Sequence, residues 1–144
     1  MKKIAIVVSR FNEDVTSRLL ASCLKTLRSE GWTEKLIKVV HVPGGYEIPW
    51  AVQELARTAR YEVIVTLGCV LKGETPQNDH IASALVHSLH RISLQTRVPV
   101  VLGVLTPKTW KQAMARTHGE LDRGKEAALV ALEMAALRKD LNHG

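Results

Sequence analysis

Residues 62–71, EVIVTLGCVL, form an apolar run that ends where the polar stretch KGETPQNDH, residues 72–80, begins. Short apolar runs rich in β-branched residues are typical of buried strands. Thr75 is a favourable N-cap and Pro76 a favourable first helical residue, so we predict a helix from about Pro76 to Gln95. The stretch therefore predicts a strand, a loop and a helix in succession, which is the repeating unit of a parallel α/β sheet.

The same unit recurs along the chain. Further strands are predicted at residues 4–8 (IAIVV), at about 36–42 and within VPVVLGVLT at 98–106. A helix is expected after each strand, with Asn12 as the N-cap of the first, and the last helix covers about residues 122–139. This order predicts an α/β fold, a flavodoxin-like three-layer sandwich with a four-stranded parallel sheet flanked by helices.

Composition narrows the class of partner. The chain has 144 residues, of which 46% are hydrophobic and 24% are charged, so we expect a single folded domain over residues 1–144. The net charge of +6 favours anionic partners. The basic residues are scattered, however, and the aromatic residues are three tryptophans, two tyrosines and one phenylalanine. Nucleic acid is therefore not expected as a partner.

Membrane proteins, disulfide-stabilised proteins and metalloproteins are also disfavoured. No apolar run approaches the ~20 residues that span a bilayer, so no membrane partner is expected. Cys23 and Cys69 lie in apolar periodic segments, which favours buried, reduced thiols in a cytoplasmic protein. His80, His87 and His90 share one side of a helix, but metal ligation needs tighter convergence and usually carboxylates or cysteines, so we expect no metal site.

Ligands of open α/β sheets bind beyond the carboxyl ends of the strands. The first end carries Phe11, either a platform for a flat heterocycle or a hydrophobic residue that packs on the first helix. The second, VPGGYEIP at 42–49, carries Glu47, which either accepts hydrogen bonds from sugar-like hydroxyls or is a solvated residue at a helix start. At the third end, backbone N–H groups around residues 73–77 suit a phosphate, and Lys72 adds positive charge.

Five sequence blocks carry a family resemblance, namely SRFNEDVTSRLL (9–20), VPGGYEIPWA (42–51), LGCVLKGETP (67–76), PVVLGVLT (99–106) and GKEAALVALEMA (124–135). With these blocks in this order, essentially the whole chain resembles the 6,7-dimethyl-8-ribityllumazine synthase family of riboflavin biosynthesis. The resemblance implies a transferase that condenses 5-amino-6-(D-ribitylamino)uracil with 3,4-dihydroxy-2-butanone 4-phosphate and releases phosphate. It also implies that no metal or organic cofactor takes part.

The resemblance implies a binding site for the ribitylaminouracil. Phe11 matches the aromatic residue that stacks on the ring. The segment around the ribityl chain and the ring is matched by Gly45, Tyr46 and Glu47. The backbone that reads the pyrimidine edge is matched by Cys69, Val70 and Leu71. Leu102 stands where many members have a phenylalanine over the ring, so one aromatic wall of the pocket is absent.

A phosphate site is implied in the same way. The residues whose main chain would hold the phosphate are Gly73, Glu74 and Thr75. Arg116 matches the phosphate-binding arginine of the family. Arg123 falls where the family has a lysine, after a shortened connection.

The largest departure from the family motif GxTxHF(D/E) is at Gln77, where the family has its proposed proton-transfer histidine. Glutamine forms hydrogen bonds but cannot titrate near neutral pH. Asn78 likewise replaces an aromatic residue, whereas Asp79 keeps the acid. His80, about one helical turn farther on, is either a catalytic residue or a polar residue at a subunit contact. The catalytic candidates are therefore His80 and Gln77, and we expect activity to be retained because orienting two substrates supplies much of the rate.

The short sheet and its apolar, alanine-rich helices lead us to expect a homo-oligomer. The resemblance implies pentamers in which Phe11 of one chain and Arg116 of its neighbour face one active site, with small-molecule substrates as the other partners. Two alternatives are a catalytically weakened relative that forms shells or binds ribitylpyrimidines, and a phosphosugar-binding enzyme of another reaction type. The retention of Phe11, Glu47, Thr75 and Arg116 favours the synthase.

Overall fold

The computed structural model describes residues 2–72 and 75–143. Within these residues, four parallel strands form one sheet in the order β2-β1-β3-β4. The strands are β1 (Lys3–Ser9), β2 (Ile37–Val42), β3 (Tyr61–Cys69) and β4 (Val100–Leu105). The predicted α/β arrangement with a four-stranded parallel sheet is confirmed.

Helices lie on both faces of the sheet. They are α1 (Glu13–Ser29), α2 (Ile48–Arg57), α3 (Pro76–Thr96), α4 (Trp110–Ala115) and α5 (Arg123–His143). Helices α1 and α5 cover one face, and α2 and α3 cover the other. Short 3-10 turns occur at Glu34–Leu36, Gly45–Glu47 and Gly119–Leu121.

Strand β1 is buried on both faces. Ile4, Ile6 and Val8 belong to the apolar layer under α1 and α5, and Ala5 and Val7 belong to the layer under α2 and α3. All five side chains are at most 2% exposed. Burying a side chain of valine or isoleucine size contributes about 1.5–3 kcal/mol, so this run anchors both layers of the core.

Helix α5 is fastened at two points. A Cβ atom at Gly124 would collide with the carbonyl oxygen of Leu19, so glycine allows α5 to approach the backbone of α1. Farther along, Nη1 of Arg138 donates to the carbonyl oxygens of Tyr61 and Glu62, at 3.0 and 2.9 Å. These contacts attach the last helix to the first helix and to the start of β3.

The sheet order creates a crevice between β1 and β3. The chain passes from β1 to β2 on one side and then continues through β3 to β4 on the other, so the connections after β1 and β3 diverge. Such switch points are where ligands bind in open α/β sheets. In the described parts of the chain, no helix combines the length and the apolar character that crossing a membrane would require.

Candidate active site

A cleft of about 880 Å³ opens at the carboxyl ends of the strands, a size that suits a small organic ligand. Its lining comes from residues 11–12 after β1, residues 44–47 after β2, and residues 69–71 at the end of β3. Helix α3 completes the lining with Gln77, Asn78, His80, Ile81 and Ala84. The segments that sequence reasoning selected after β1, β2 and β3 are therefore brought together in one place.

Phe11 stands over the turn that follows β2. Its main-chain N–H donates to the carbonyl oxygen of Pro43 at 2.9 Å, and its ring approaches Gly44 so closely that a Cβ there would lie 2.5 Å from Cδ2 of the ring. The side chain is 66% exposed, so most of the ring is not buried against α1. This geometry supports the aromatic platform over the packing alternative for Phe11.

Replacing Gly44 with alanine is expected to move the Phe11 ring and weaken the binding of a flat heterocycle by about 3- to 10-fold, the scale of one aromatic contact. The backbone at Gly44 is extended, with φ −144°, so alanine adds no backbone strain. Titration of a ribitylaminopyrimidine analogue measures the effect. In a Phe11→Ala background the same change should cost nothing further, and an equal cost in both backgrounds would contradict the contact.

Glu47 is fixed by the turn that it closes. Its Oε1 accepts a hydrogen bond from the Gly44 N–H at 2.9 Å, and its own N–H donates to the Gly44 carbonyl at 3.2 Å. A carboxylate has further acceptor positions after one bond is made, and these suit hydroxyl groups. Tyr46, beside it, is 72% exposed and also lines the cleft.

The chain at the end of β3 is held by hydrogen bonds on several sides. The N–H of Val70 donates to the Leu105 carbonyl at 2.9 Å, and that of Lys72 donates to the Pro107 carbonyl at 2.8 Å. Nδ2 of Asn12 donates to the Cys69 carbonyl at 2.8 Å. The backbone that lines this wall of the cleft is therefore well fixed.

Two asparagines in the cleft have roles that sequence reasoning did not find. Asn12 occupies the N-cap position of α1, as predicted, but its side chain makes no capping bond. With φ 62° and ψ 49° its backbone is left-handed rather than extended, and the side chain donates instead to Cys69. Asn78 donates through Nδ2 to the Leu71 carbonyl at 2.9 Å. No pattern of local spacing signals either contact, because each joins two different elements.

The thiol in the cleft is not a nucleophile at neutral pH. Burial raises the pKa of Cys69 to about 11. Burial, and secondly the charge of Asp122, raise the pKa of Cys23 to about 12. Both thiols are free and buried, as predicted, and both stay protonated. Cys69 therefore contributes apolar surface and its main chain to the cleft.

Helix α3 begins as predicted. Oγ1 of Thr75 accepts from the Asn78 N–H at 3.3 Å, and Pro76 is the first helical residue. Gln77 and His80 are exposed and line the cleft together with Ile81 and Ala84, because these spacings place them on one side of the helix. Gly73 and Glu74 lie outside the described residues.

Among the described residues, four of the predicted site residues do not line the cleft of a single chain, namely Thr75, Leu102, Arg116 and Arg123. Leu102 lies on the edge strand β4 and is 44% exposed. Arg116 is exposed after α4, and its carbonyl accepts from the Arg123 N–H at 2.8 Å, so the two arginines lie together. Arg123 also pairs with Glu126, with 3.6 Å between Nε and Oε2. Within the described residues, no group of three histidine, cysteine or acidic side chains could hold a metal ion.

Comparisons with known proteins point to one family. A de novo designed Rossmann fold protein is 16% identical, with a TM-score of 0.44, over 80% of this chain and 92% of that chain. A 6,7-dimethyl-8-ribityllumazine synthase of Salinibacter ruber is 45% identical over 140 residues, 96% of this chain and 90% of the relative. A protein of the same name from Prochlorococcus marinus is 43% identical over 141 residues, 95% of this chain and 89% of the relative. The family model described as 6,7-dimethyl-8-ribityllumazine synthase matches residues 1–139, and the chain therefore belongs to that family.

Proposed function

We propose that this protein condenses 5-amino-6-(D-ribitylamino)uracil with 3,4-dihydroxy-2-butanone 4-phosphate to form 6,7-dimethyl-8-ribityllumazine, phosphate and two molecules of water. Membership of the family supports the reaction. The observation that carries the proposal is the cleft, where the ends of β1, β2 and β3 meet the start of α3. Each of these segments contains residues that match a binding block of the family.

The proposed site has one end for each substrate. Phe11 stacks on the pyrimidine ring, whose edge is read by the main chain of residues 69–71. Glu47, held by the Gly44 N–H, accepts hydrogen bonds from the ribityl hydroxyls, beside Gly45 and Tyr46. Leu102 leaves the ring without a second aromatic wall.

The four-carbon phosphate is proposed to bind at the start of α3. The positive end of the helix dipole attracts a phosphate there, whereas Pro76 has no N–H and the N–H of Asn78 already donates to Thr75. The loop residues Gly73, Glu74 and Thr75 supply main-chain donors in this proposal. Arg116 and Arg123 do not line the cleft of their own chain, which supports their supply by a neighbouring copy in a pentamer-based homo-oligomer.

The reaction joins groups that are already reactive. The 5-amino nitrogen attacks the ketone carbonyl and loses water to form an imine. The four-carbon chain then loses a proton from C3 and phosphate from C4, which leaves an enol. Tautomerisation of the enol gives a carbonyl at C3, which the 6-amino nitrogen attacks, and loss of the second water closes the ring. Holding the amine and the ketone in the right geometry can accelerate the reaction by a large factor, and this acceleration does not require Gln77 to titrate. We propose His80, which also lines the cleft, as the side chain that carries protons.

The activity is tested by mixing the purified protein with both substrates and following lumazine by its absorbance and fluorescence. Product should form faster than in buffer alone, and an equal rate would contradict the reaction. A second candidate function is that of a catalytically weakened relative that binds ribitylpyrimidines. Gln77, which stands where the family has its histidine, supports this candidate. Binding of a ribitylaminopyrimidine analogue without turnover would favour that second function.

Buried, free thiols suit the reducing cytoplasm, which we propose as the compartment.

A further inference from the structure

The segment that ends β3 is connected to two helices by asparagine side chains. Asn12, which precedes α1, donates to the Cys69 carbonyl, and Asn78, in the first turn of α3, donates to the Leu71 carbonyl. Both bonds are partly buried, and both asparagines line the cleft. Water competes less with a hydrogen bond that is partly buried, so each bond restrains the segment more than an exposed one would.

Asn78 makes two kinds of contact at once. Its main-chain N–H donates to Thr75, to Oγ1 at 3.3 Å and to the carbonyl at 3.1 Å, which closes the start of α3. Its side chain reaches across to Leu71 at 2.9 Å. An aromatic hydrocarbon side chain, which the family motif has at this position, has no N–H with which to make that bond. The link is therefore a property of this chain's own sequence.

We propose that Asn78 is a positioning residue that sets the distance between the two substrate ends of the cleft. This inference rests on the proposed function, in which the segment at Leu71 reads the pyrimidine and the start of α3 holds the phosphate. A direct bond between the segment and the helix keeps the two ends in a fixed relation. Orientation of the substrates matters more in this chain than in a relative with a titratable residue at position 77. Without that residue, proton transfer supplies a smaller part of the rate.

Two substitutions separate hydrogen bonding from packing. Asn78→Ala removes the donor and the volume, whereas Asn78→Asp keeps the volume but, when ionised, can only accept and therefore repels the Leu71 carbonyl. The probe is the 5-nitro analogue of the ribitylaminouracil, which cannot attack a ketone. We expect its Kd to rise about 3- to 10-fold in Asn78→Ala and at least as much in Asn78→Asp, with kcat lowered in both. Asn142→Asp, the same change at an exposed residue of α5, should leave both constants unchanged.

The relative effects of Asn78→Ala and Asn78→Asp on Kd and kcat test the inference. A residue that only fills space would tolerate aspartate better than alanine, so wild-type Kd and kcat in Asn78→Asp would overturn the proposal. If Asn78→Ala does not fold, as judged by urea unfolding, the isosteric aspartate variant still gives the decisive comparison. A wild type that binds the analogue in an Asn78-dependent way but makes no lumazine would overturn the reaction, and with it the positioning of two substrates, while the contribution of Asn78 to the pyrimidine end would stand. Lumazine formation that both substitutions leave unchanged would overturn the positioning role alone.

Discussion

Replacing Gln77 with histidine is expected to raise kcat by about tenfold or more, because a positioned acid or base typically contributes about 10²–10⁴-fold. Gln77 lines the cleft beside the start of α3, so a histidine there can reach the reacting groups. The gain should fall below the upper end of that range, since His80 already lines the same side of the helix. Steady-state kinetics of lumazine formation with both substrates at saturation measure the effect.

Four proteins complete the experiment: the wild type, Gln77→His, His80→Ala and the double variant. His80→Ala alone should lower kcat by at least tenfold and change the shape of the pH–rate profile, and Gln77→His should restore activity in the His80→Ala background. His90→Ala is the matched control, because His90 is an exposed histidine of the same helix that does not line the cleft. Unchanged kcat in His80→Ala would remove His80 from proton transfer, and unchanged kcat in Gln77→His would contradict the expected gain from a histidine at that position.

Phe11→Ala and Arg116→Ala should each lower kcat/KM by about tenfold to a hundredfold, by loss of ring stacking or of a charge-assisted bond to phosphate. The two defects should then complement each other. In a cyclic oligomer assembled from equal amounts of both variants, roughly a quarter of the sites between neighbours receive an intact Phe11 and an intact Arg116. Activity near a quarter of the wild-type value is therefore expected after co-expression.

The complementation result depends on where Arg116 acts. If Arg116 reached the cleft of its own chain, every site in the mixture would carry one defect, and activity would stay at the level of the single variants. Phe11→Ala expressed without the second variant and purified in the same way is the control for the procedure. Light scattering of the mixed sample tests whether the two variants share oligomers, and separate monomers would contradict the proposed shared site.

The elements of the fold could be predicted because their signals are local. The run at residues 4–8 is apolar at every position, which requires cover on both faces, and the structure provides that cover. The start of α3 was predicted from Thr75 and Pro76, since capping depends on residues close together in sequence. The sequence predicts that α5 ends at about residue 139, whereas the helix continues to His143, because no strong stop signal marks its end.

The site was harder to predict, because its contacts join elements that are far apart. The capping side chain expected of Asn12 was wrong, since a left-handed backbone at one residue redirects it to Cys69. The family motif identified Asn78 only as a missing aromatic residue, and its bond to Leu71 requires the packing of α3 beside β3. Arg116 does not line the cleft of its own chain, so its proposed role depends on the contact with a neighbouring copy, which the sequence of one chain does not define.

The packing of α5 on one face of the sheet affects how the protein folds during its synthesis. Val65 and Leu67 of β3 share their apolar layer with Ala127 and Ala131 of α5, which packs on β3 and β4 and follows both strands in the chain. A ribosome-bound chain therefore presents an apolar face of β3 and β4 until α5 has emerged, and this layer of the core closes only then. We expect the nascent chain to bind chaperones that recognise apolar segments during this interval.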